Sequence, residues 1–436
     1  MTDVTTRPAA LAEKDTVSIY RKITWKLIPF LCLCYLAAYL DRINIGLAKL
    51  QMANDLALSE TAFGLGAGLF FVGYILFEVP SNLILERVGA KIWIARIMIT
   101  WGLLSTMTLL VQTPMQFYII RFLLGAAEAG FLPGVLFYLT KWFPSWRRGR
   151  IIALFMIGLP LSSLIGGPLS GWIMGHFHEV YGMRGWQWLF LLEGLPSVLL
   201  GIATFWILPN SVESAGWLSE REKQAVQREL QSDQKEAKGA KHSLRDGLLN
   251  IRVVMLGGID FSILLSAYAM GFWMPTFIKN AGTTDITTIG YLTAIPSLAA
   301  LIGMLAIGSS SDRRRERRWH IIVPFIIGAA AMGASTFFSH NVMMTVLLFS
   351  IAQAMIIGAV PVFFSLPATF LKGTAAAAGF ALACSIANIA GLVSNSVMGI
   401  ALDVTGSSNG ALWFFAACLL LSCLLVVALP AKLVNR

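Results

Sequence analysis

Apolar runs alternate with polar breaks from one end of the chain to the other. The runs fall near 26–46, 62–84, 92–111, 115–139, 151–174, 187–208, 253–277, 287–310, 320–338, 342–370, 375–400 and 409–430. Most have the ~20 residues that a helix needs to cross a ~30 Å hydrocarbon core. They lack the period-two alternation of a closed barrel. The pattern predicts an all-α membrane protein with twelve transmembrane helices. Residues 1–25 are polar and the first run is too long for a signal core, so no cleavable signal peptide is expected.

The longest polar break, 209–252, divides the runs six and six. This gives an N-terminal tail (1–25), a six-helix bundle (26–208), a linker (209–252), a second six-helix bundle (253–430) and a short tail (431–436). Within the linker, "LSEREKQAVQREL" places Ser219 three residues before Glu222. That spacing is a capping box and predicts a short helix outside the membrane.

Composition agrees with the pattern. Hydrophobic residues make up 57% and charged residues 13%, with a mean hydropathy of +0.72. So few charges cannot cover a soluble surface. The net charge of +10 would suggest a nucleic-acid partner in a soluble chain. Here its distribution is topological. Of 33 Lys and Arg, 28 lie in the tails and alternate breaks that share one side or, as Lys26 and Arg96 do, at the run ends beside them, three lie on the other side, and Arg42 and Arg121 lie deep inside runs. The asymmetry predicts that both termini are cytoplasmic. The five cysteines fall in apolar runs, and the five histidines in loops or at helix ends. Neither set has metal-ligand spacing, so no metal or cofactor is expected.

The break after the second run reads "NLILERVGAK", and its counterpart in the other half reads "GSSSDRRRERR". Both follow one frame, with Glu86–Arg87 in the first and Asp312–Arg313 in the second. The frame predicts an internal duplication and a charge latch between helices on the cytoplasmic side. Twelve runs, a long middle break and this paired motif resemble the major facilitator superfamily over essentially the whole chain. "YLDRINIG", "GYILFEVPSN", "RFLLGAAEAGFLPG", "YLTKWFP" and "GWQWLFLLEG" narrow the resemblance to its anion:cation symporter family. The likeness is to 4-hydroxyphenylacetate and related organic-acid and sugar-acid permeases. The resemblance implies two pseudo-symmetric six-helix bundles that rock about a central site.

Charges inside the runs are the candidate chemistry, because each costs at least ~2.5–3.5 kcal/mol at mid-bilayer. At ~1.5 Å per residue, Asp41 lies about 22 Å along its helix, Arg121 ~9 Å and Glu128 ~20 Å along theirs. Arg121 and Glu128 are seven apart and share one face. Asp41 and Arg42 point about 100° apart, so they do not pair with each other. Asp41 is expected to meet Arg121 and, with Glu128, to carry the proton. Arg42 and Arg121 are expected to bind the substrate anion, since guanidinium matches carboxylate geometry. By their positions in the family's pocket, Tyr39, Tyr74, Ser365 and Asn388 are further substrate-binding candidates. Asp260 is a possible second acidic site. "GGPLSG" (Gly166–Gly171) is expected to kink and pack its helix.

These residues point to a non-enzymatic importer of a small organic anion, an aromatic or heteroaromatic monocarboxylate, in symport with protons rather than sodium. A hydroxy-acid or sugar-acid symporter is the alternative within the class, and a membrane sensor without net transport the alternative outside it. The expected setting is the bacterial inner membrane, with lipids around a monomer and no nucleic acid.

Overall fold

The computed structural model describes residues 13–238, 251–366 and 373–430. Among these residues, twelve helices are long and apolar enough to cross a membrane. They are α1 (Thr16–Asp55), α2 (Glu60–Val88), α3 (Ala90–Leu110), α4 (Pro114–Thr140), α5 (Ser145–His176), α6 (Gly185–Ile207), α7 (Ile251–Asn280), α8 (Ile286–Arg314), α9 (Trp319–Phe338), α10 (Val342–Phe364), α11 (Leu382–Thr405) and α12 (Asn409–Ala428). Each coincides with an apolar run. The largest differences are at the ends. α1 begins within the polar tail and continues past Asp41–Arg42 to Asp55. The last residues of the run 342–370 lie outside the described set. Lipid-facing positions carry exposed large apolar side chains such as Leu76, Leu199 and Trp206.

Packing within each half repeats. In the first half, α1 packs on α5, α2 on α4 and α3 on α6. In the second, α7 packs on α11, α8 on α10 and α9 on α12. A shift of six helices converts one set into the other, which is the geometry an internal duplication requires.

The halves meet through α2 on α11 and α5 on α8, again related by the same shift. These contacts gather at the end away from the termini. A Cβ at Gly64 would fall 2.3 Å from the Asn395 carbonyl oxygen, and one at Gly46 2.4 Å from that of Phe272. Gly167 and Gly171 of the predicted packing kink meet Gly290 of α8 at the same end. A Cβ on Gly290 would fall 2.4 Å from the Gly167 carbonyl oxygen. Glycine allows backbone to touch backbone here, so the seal is close. Among the described residues, the parts of α4 and α5 nearer the termini make no comparable pairing with the second half.

The far-end seal is also polar. Lys49, buried at 3% exposure, pairs with Glu60 of its own half. It also donates to Thr276 Oγ1 of α7 at 3.2 Å and lies 4.0 Å from the Trp273 ring centroid. Asp403 of α11 accepts the Glu60 and Thr61 amides at 3.1 and 2.7 Å. A carboxylate from one half thus caps a helix N-terminus of the other.

At the near end, the capping box forms as its spacing predicts. The Ser219 amide donates to Glu222 at 2.7 Å, and the Glu222 amide to Ser219 Oγ at 3.3 Å. It starts a linker helix, Glu220–Lys238. Glu222 also binds Lys22 of α1 at 2.9 Å, and Asp233 binds Arg148 of α5 at 3.2 Å. Both link the linker helix to the first half. Glu86, Arg87, Asp312 and Arg313 are exposed at their helix ends and, among the described residues, form no ion pair, so the latch expected of them is not formed in this arrangement of the helices.

Two outcomes follow from this packing. Gly290→Val should wedge α5 from α8. A single cysteine placed at Thr276 should then react several-fold faster with a maleimide than in the parent, and unchanged labelling would contradict the seal. Partial burial opposes ionisation of Glu222, but the Ser219 amide and hydroxyl and the Lys22 ammonium hold its carboxyl below the ordinary 4.5. A depressed carboxyl stabilises above its unfolded value and stops doing so as pH falls through its folded value. Limited proteolysis of the linker should therefore be slow at pH 5–7 and rise only as pH drops below about 4.

Candidate functional site

α1 carries Arg42 and runs on through Asn44, whose φ and ψ are helical and whose bonds to Leu40 and Ala48 are those of a continuous helix. The helix that carries Glu128 does break. α4 is interrupted at Ala129–Gly130, directly after Glu128. Gly130 has φ 87°, a left-handed conformation that costs a side-chain-bearing residue energy. A Cβ there would also fall 2.4 Å from Ser81 Oγ. Arg42 and Glu128 form a direct ion pair. Glu128 is 3% exposed.

Aromatic rings surround this pair. The Arg42 guanidinium carbon lies 5.8 Å from the Tyr39 ring centroid, 5.1 Å from Phe70 and 5.4 Å from Tyr74. Phe71 packs on Tyr268 of α7 at 4.5 Å, and Tyr268 on Phe272 at 6.2 Å. The hydroxyls of Tyr39, Tyr74 and Tyr268 make no hydrogen bond among the described residues.

Arg121 also approaches Phe70, its guanidinium carbon 5.1 Å from that ring. It is 1% exposed, yet none of its three guanidinium nitrogens has a hydrogen-bond partner. Glu128 and Arg42 are its charged neighbours. A buried guanidinium with five free N–H groups is a site for an acceptor.

Asp41 does not meet Arg121, which corrects the expected pairing. It is wholly buried and accepts from Trp101 Nε1 and Ser197 Oγ on one oxygen, each at 2.7 Å, and from Ser105 Oγ on the other at 2.8 Å. The 100° turn between neighbours sends Arg42 towards α4 and Asp41 into the seam with α3 and α6. Arg42 correspondingly faces Glu128, not open space.

The second half contributes less than expected. Ser365 spends its hydroxyl on the Val362 carbonyl at 2.6 Å and its carbonyl on Arg317 at 3.2 Å. It closes a helix end beyond α10 and is removed from the site. Asn388 is half-buried on α11 and makes no hydrogen bond among the described residues. Asp260 is buried at 4% exposure and neighbours Tyr268 and Cys384 electrostatically.

Three charged residues were missed. Glu78, one turn beyond Tyr74, is a charged neighbour of Tyr74 and Arg42. Glu193 is 4% exposed and binds Asn44 and Ser170. Lys49 seals the far end. Glu78 and Glu193 each stand inside an apolar run, in "GYILFEVPSN" and "GWQWLFLLEG". The cost of intramembrane charge could have singled them out as it did Glu128.

Residues 31–394 match the Major Facilitator Superfamily. The chain belongs to the Major Facilitator Superfamily. Among relatives of this transporter, it is 74% identical to NicT of Pseudomonas putida, named as a metabolite transport protein, over 97% of each chain. It is 44% identical to a sequence from Agrobacterium vitis named as a tartrate transporter, over 94% of this chain and 91% of that one. The solved D-xylose-proton symporter superposes with a TM-score of 0.72 at 17% identity, over 94% of this chain and 99% of that one, and shares the fold. The protein is thus a multi-pass membrane transporter of this superfamily and not an enzyme.

In this transporter, Gly130→Ala should lower stability by about 1–3 kcal/mol through backbone strain and the Ser81 clash. Thermal unfolding in detergent reads it as a lower Tm. An unchanged Tm would mean that the α4 break carries no strain.

Proposed function

We propose that this protein imports a small organic monocarboxylate, aromatic or heteroaromatic, together with protons, as a member of the anion:cation symporter family. The observation that carries the reading is Arg121: a buried guanidinium without any partner, beside the Arg42–Glu128 ion pair and inside a ring of aromatic side chains. Two cations and one carboxylate leave one positive charge, which a singly charged anion neutralises. Arg121 offers the planar fork that binds a carboxylate. Phe70, Phe71, Tyr39, Tyr74 and Tyr268 offer faces for a flat ring.

Coupling follows from the ion pair. While Glu128 is ionised, it occupies Arg42. A proton on Glu128 releases Arg42 to the substrate, so proton and anion favour each other's binding. With the termini cytoplasmic, as the charge distribution predicts, the closed far end is the extracellular one. The loaded carrier reorients with its charges neutralised, and the empty carrier reorients with Glu128 returned to Arg42. No cofactor enters this scheme. It requires a monomer in the bacterial inner membrane, with lipid as its only other partner.

A second reading, a hydroxy-acid substrate, is favoured by the relative named as a tartrate transporter and by the free hydroxyls of Tyr39, Tyr74 and Tyr268. Uptake into proteoliposomes separates them. Radiolabelled 4-hydroxyphenylacetate, nicotinate, galactonate and tartrate would be offered with and without an inward proton gradient. We expect an aromatic acid to accumulate with the gradient. Glu128→Gln should abolish accumulation but keep counterflow exchange. Arg121→Gln should weaken apparent affinity about 10- to 100-fold, the value of one or two charge-assisted hydrogen bonds. An anion that equilibrates without regard to the gradient would make the protein a facilitator. Movement of tartrate or galactonate alone would establish the second reading.

A further inference from the structure

Glu193 has no part in the scheme above. It lies on α6, outside the aromatic site, and is buried with Asn44 and Ser170, each at 2% exposure. Asn44 Nδ2 donates to Glu193 Oε2 at 3.0 Å, and Ser170 Oγ to Oε1 at 2.7 Å. No cation touches it. The titratable group that it faces is another acid, Asp41 of α1. α3 and α5 present it with no charged group. Asp41 and Asn44 are three apart on α1, and Glu193 and Ser197 four apart on α6. Asp41–Ser197 and Asn44–Glu193 are therefore two rungs of one ladder between the helices.

One atom of this ladder is unexplained. Asn44 Oδ1 is buried and has no partner. A buried acceptor left bare costs about 1–3 kcal/mol. The amide and the carboxyl together have a second arrangement. If Glu193 takes a proton on Oε2 and the amide turns over, the new O–H donates to Oδ1, and Nδ2 becomes the unpartnered end in its place. The Ser170 bond remains. Glu193 thus has hydrogen-bond partners both as carboxylate and as acid, which a purely structural carboxylate does not need.

We propose that Glu193 is an additional proton-binding group of the carrier, seated where α6 meets α1 and α5 and distinct from Glu128 and Asp41. The proposal rests on the proton-coupled reading for its use but not for its existence. Its place connects it to the far-end seal. Asn44 lies two residues from Gly46, which packs on Phe272, and Ser170 lies next to Gly171, which packs on Gly290. Glu193 therefore holds together the two helices of the first half that touch α7 and α8. Its proton changes the net charge at that joint, so it sets how the seal responds to pH.

The test is infrared difference spectroscopy of the full-length protein in lipid bilayers, titrated between acidic and alkaline pH in deuterated and ordinary water. Wild type should show a buried carboxylic-acid band that titrates and is absent in Glu193→Gln but present in Asp41→Asn and Glu128→Gln. Ser170→Ala, which keeps the carboxyl, should shift that band without removing it, and it serves where Glu193→Gln does not fold. In proteoliposomes, Glu193→Gln should keep the KM for counterflow exchange within about twofold and flatten its pH profile, because Glu193 does not touch the aromatic site. A spectrum unchanged by Glu193→Gln, or a Glu193 band that never titrates, would overturn the proposal. Failure of wild-type uptake to respond to a proton gradient would instead overturn the coupled-transport reading and leave the infrared result standing.

Discussion

The structure is organised by the cost of charge in a low-dielectric interior. An ion removed from water loses several kcal/mol of solvation even after relaxation. The first half nonetheless buries Asp41, Arg121, Glu128 and Glu193. Arg42 and Glu128 meet that cost by pairing, and Asp41 by three neutral donors. Arg121 makes no hydrogen bond among the described residues, and the charge of Glu128 and the face of Phe70 are what offset its burial. On the proposed reading, an arriving anion supplies the acceptors that the protein leaves out.

In α4 the left-handed Gly130 turns the chain directly after Glu128. α1 does not break in this way: Asn44 keeps helical φ and ψ, its amide on the Leu40 carbonyl and its carbonyl accepting from Leu47 and Ala48. Asp41, Arg42 and Asn44 are therefore carried on one helix at fixed angles to each other.

The spans and their division into halves were legible because lipid imposes a length and a polarity that a single sequence displays. The buried charges were legible for the same reason where they were sought: Asp41, Arg42, Arg121 and Glu128 stand out against apolar neighbours. Their partners were not. Whether Arg42 or Arg121 takes Glu128 depends on helix rotation and on a break at Gly130, and neither leaves a periodic signal. Ser365 failed as a candidate because a hydroxyl near a helix end is as readily spent on its own backbone as on a ligand. Glu193 and Glu78 went unnoticed inside motifs read for resemblance rather than for charge. Lys49 was read as a loop charge, since nothing in one sequence says that α2, α7 and α1 converge around it.

The cap that Asp403 provides for α2 has a thermodynamic consequence. When the halves part, the Glu60 and Thr61 amides and the Asp403 carboxylate do not become bare, because they lie at an aqueous mouth where water replaces each lost bond. Lys49 and Thr276 stand deeper but open onto the same water. Hydrogen bonds exchanged one for one leave little net enthalpy. The polar part of the seal is therefore tight in geometry and shallow in free energy. What parting the halves must overcome is the packing beneath it, where Gly46, Gly64 and Gly290 bring backbone against backbone.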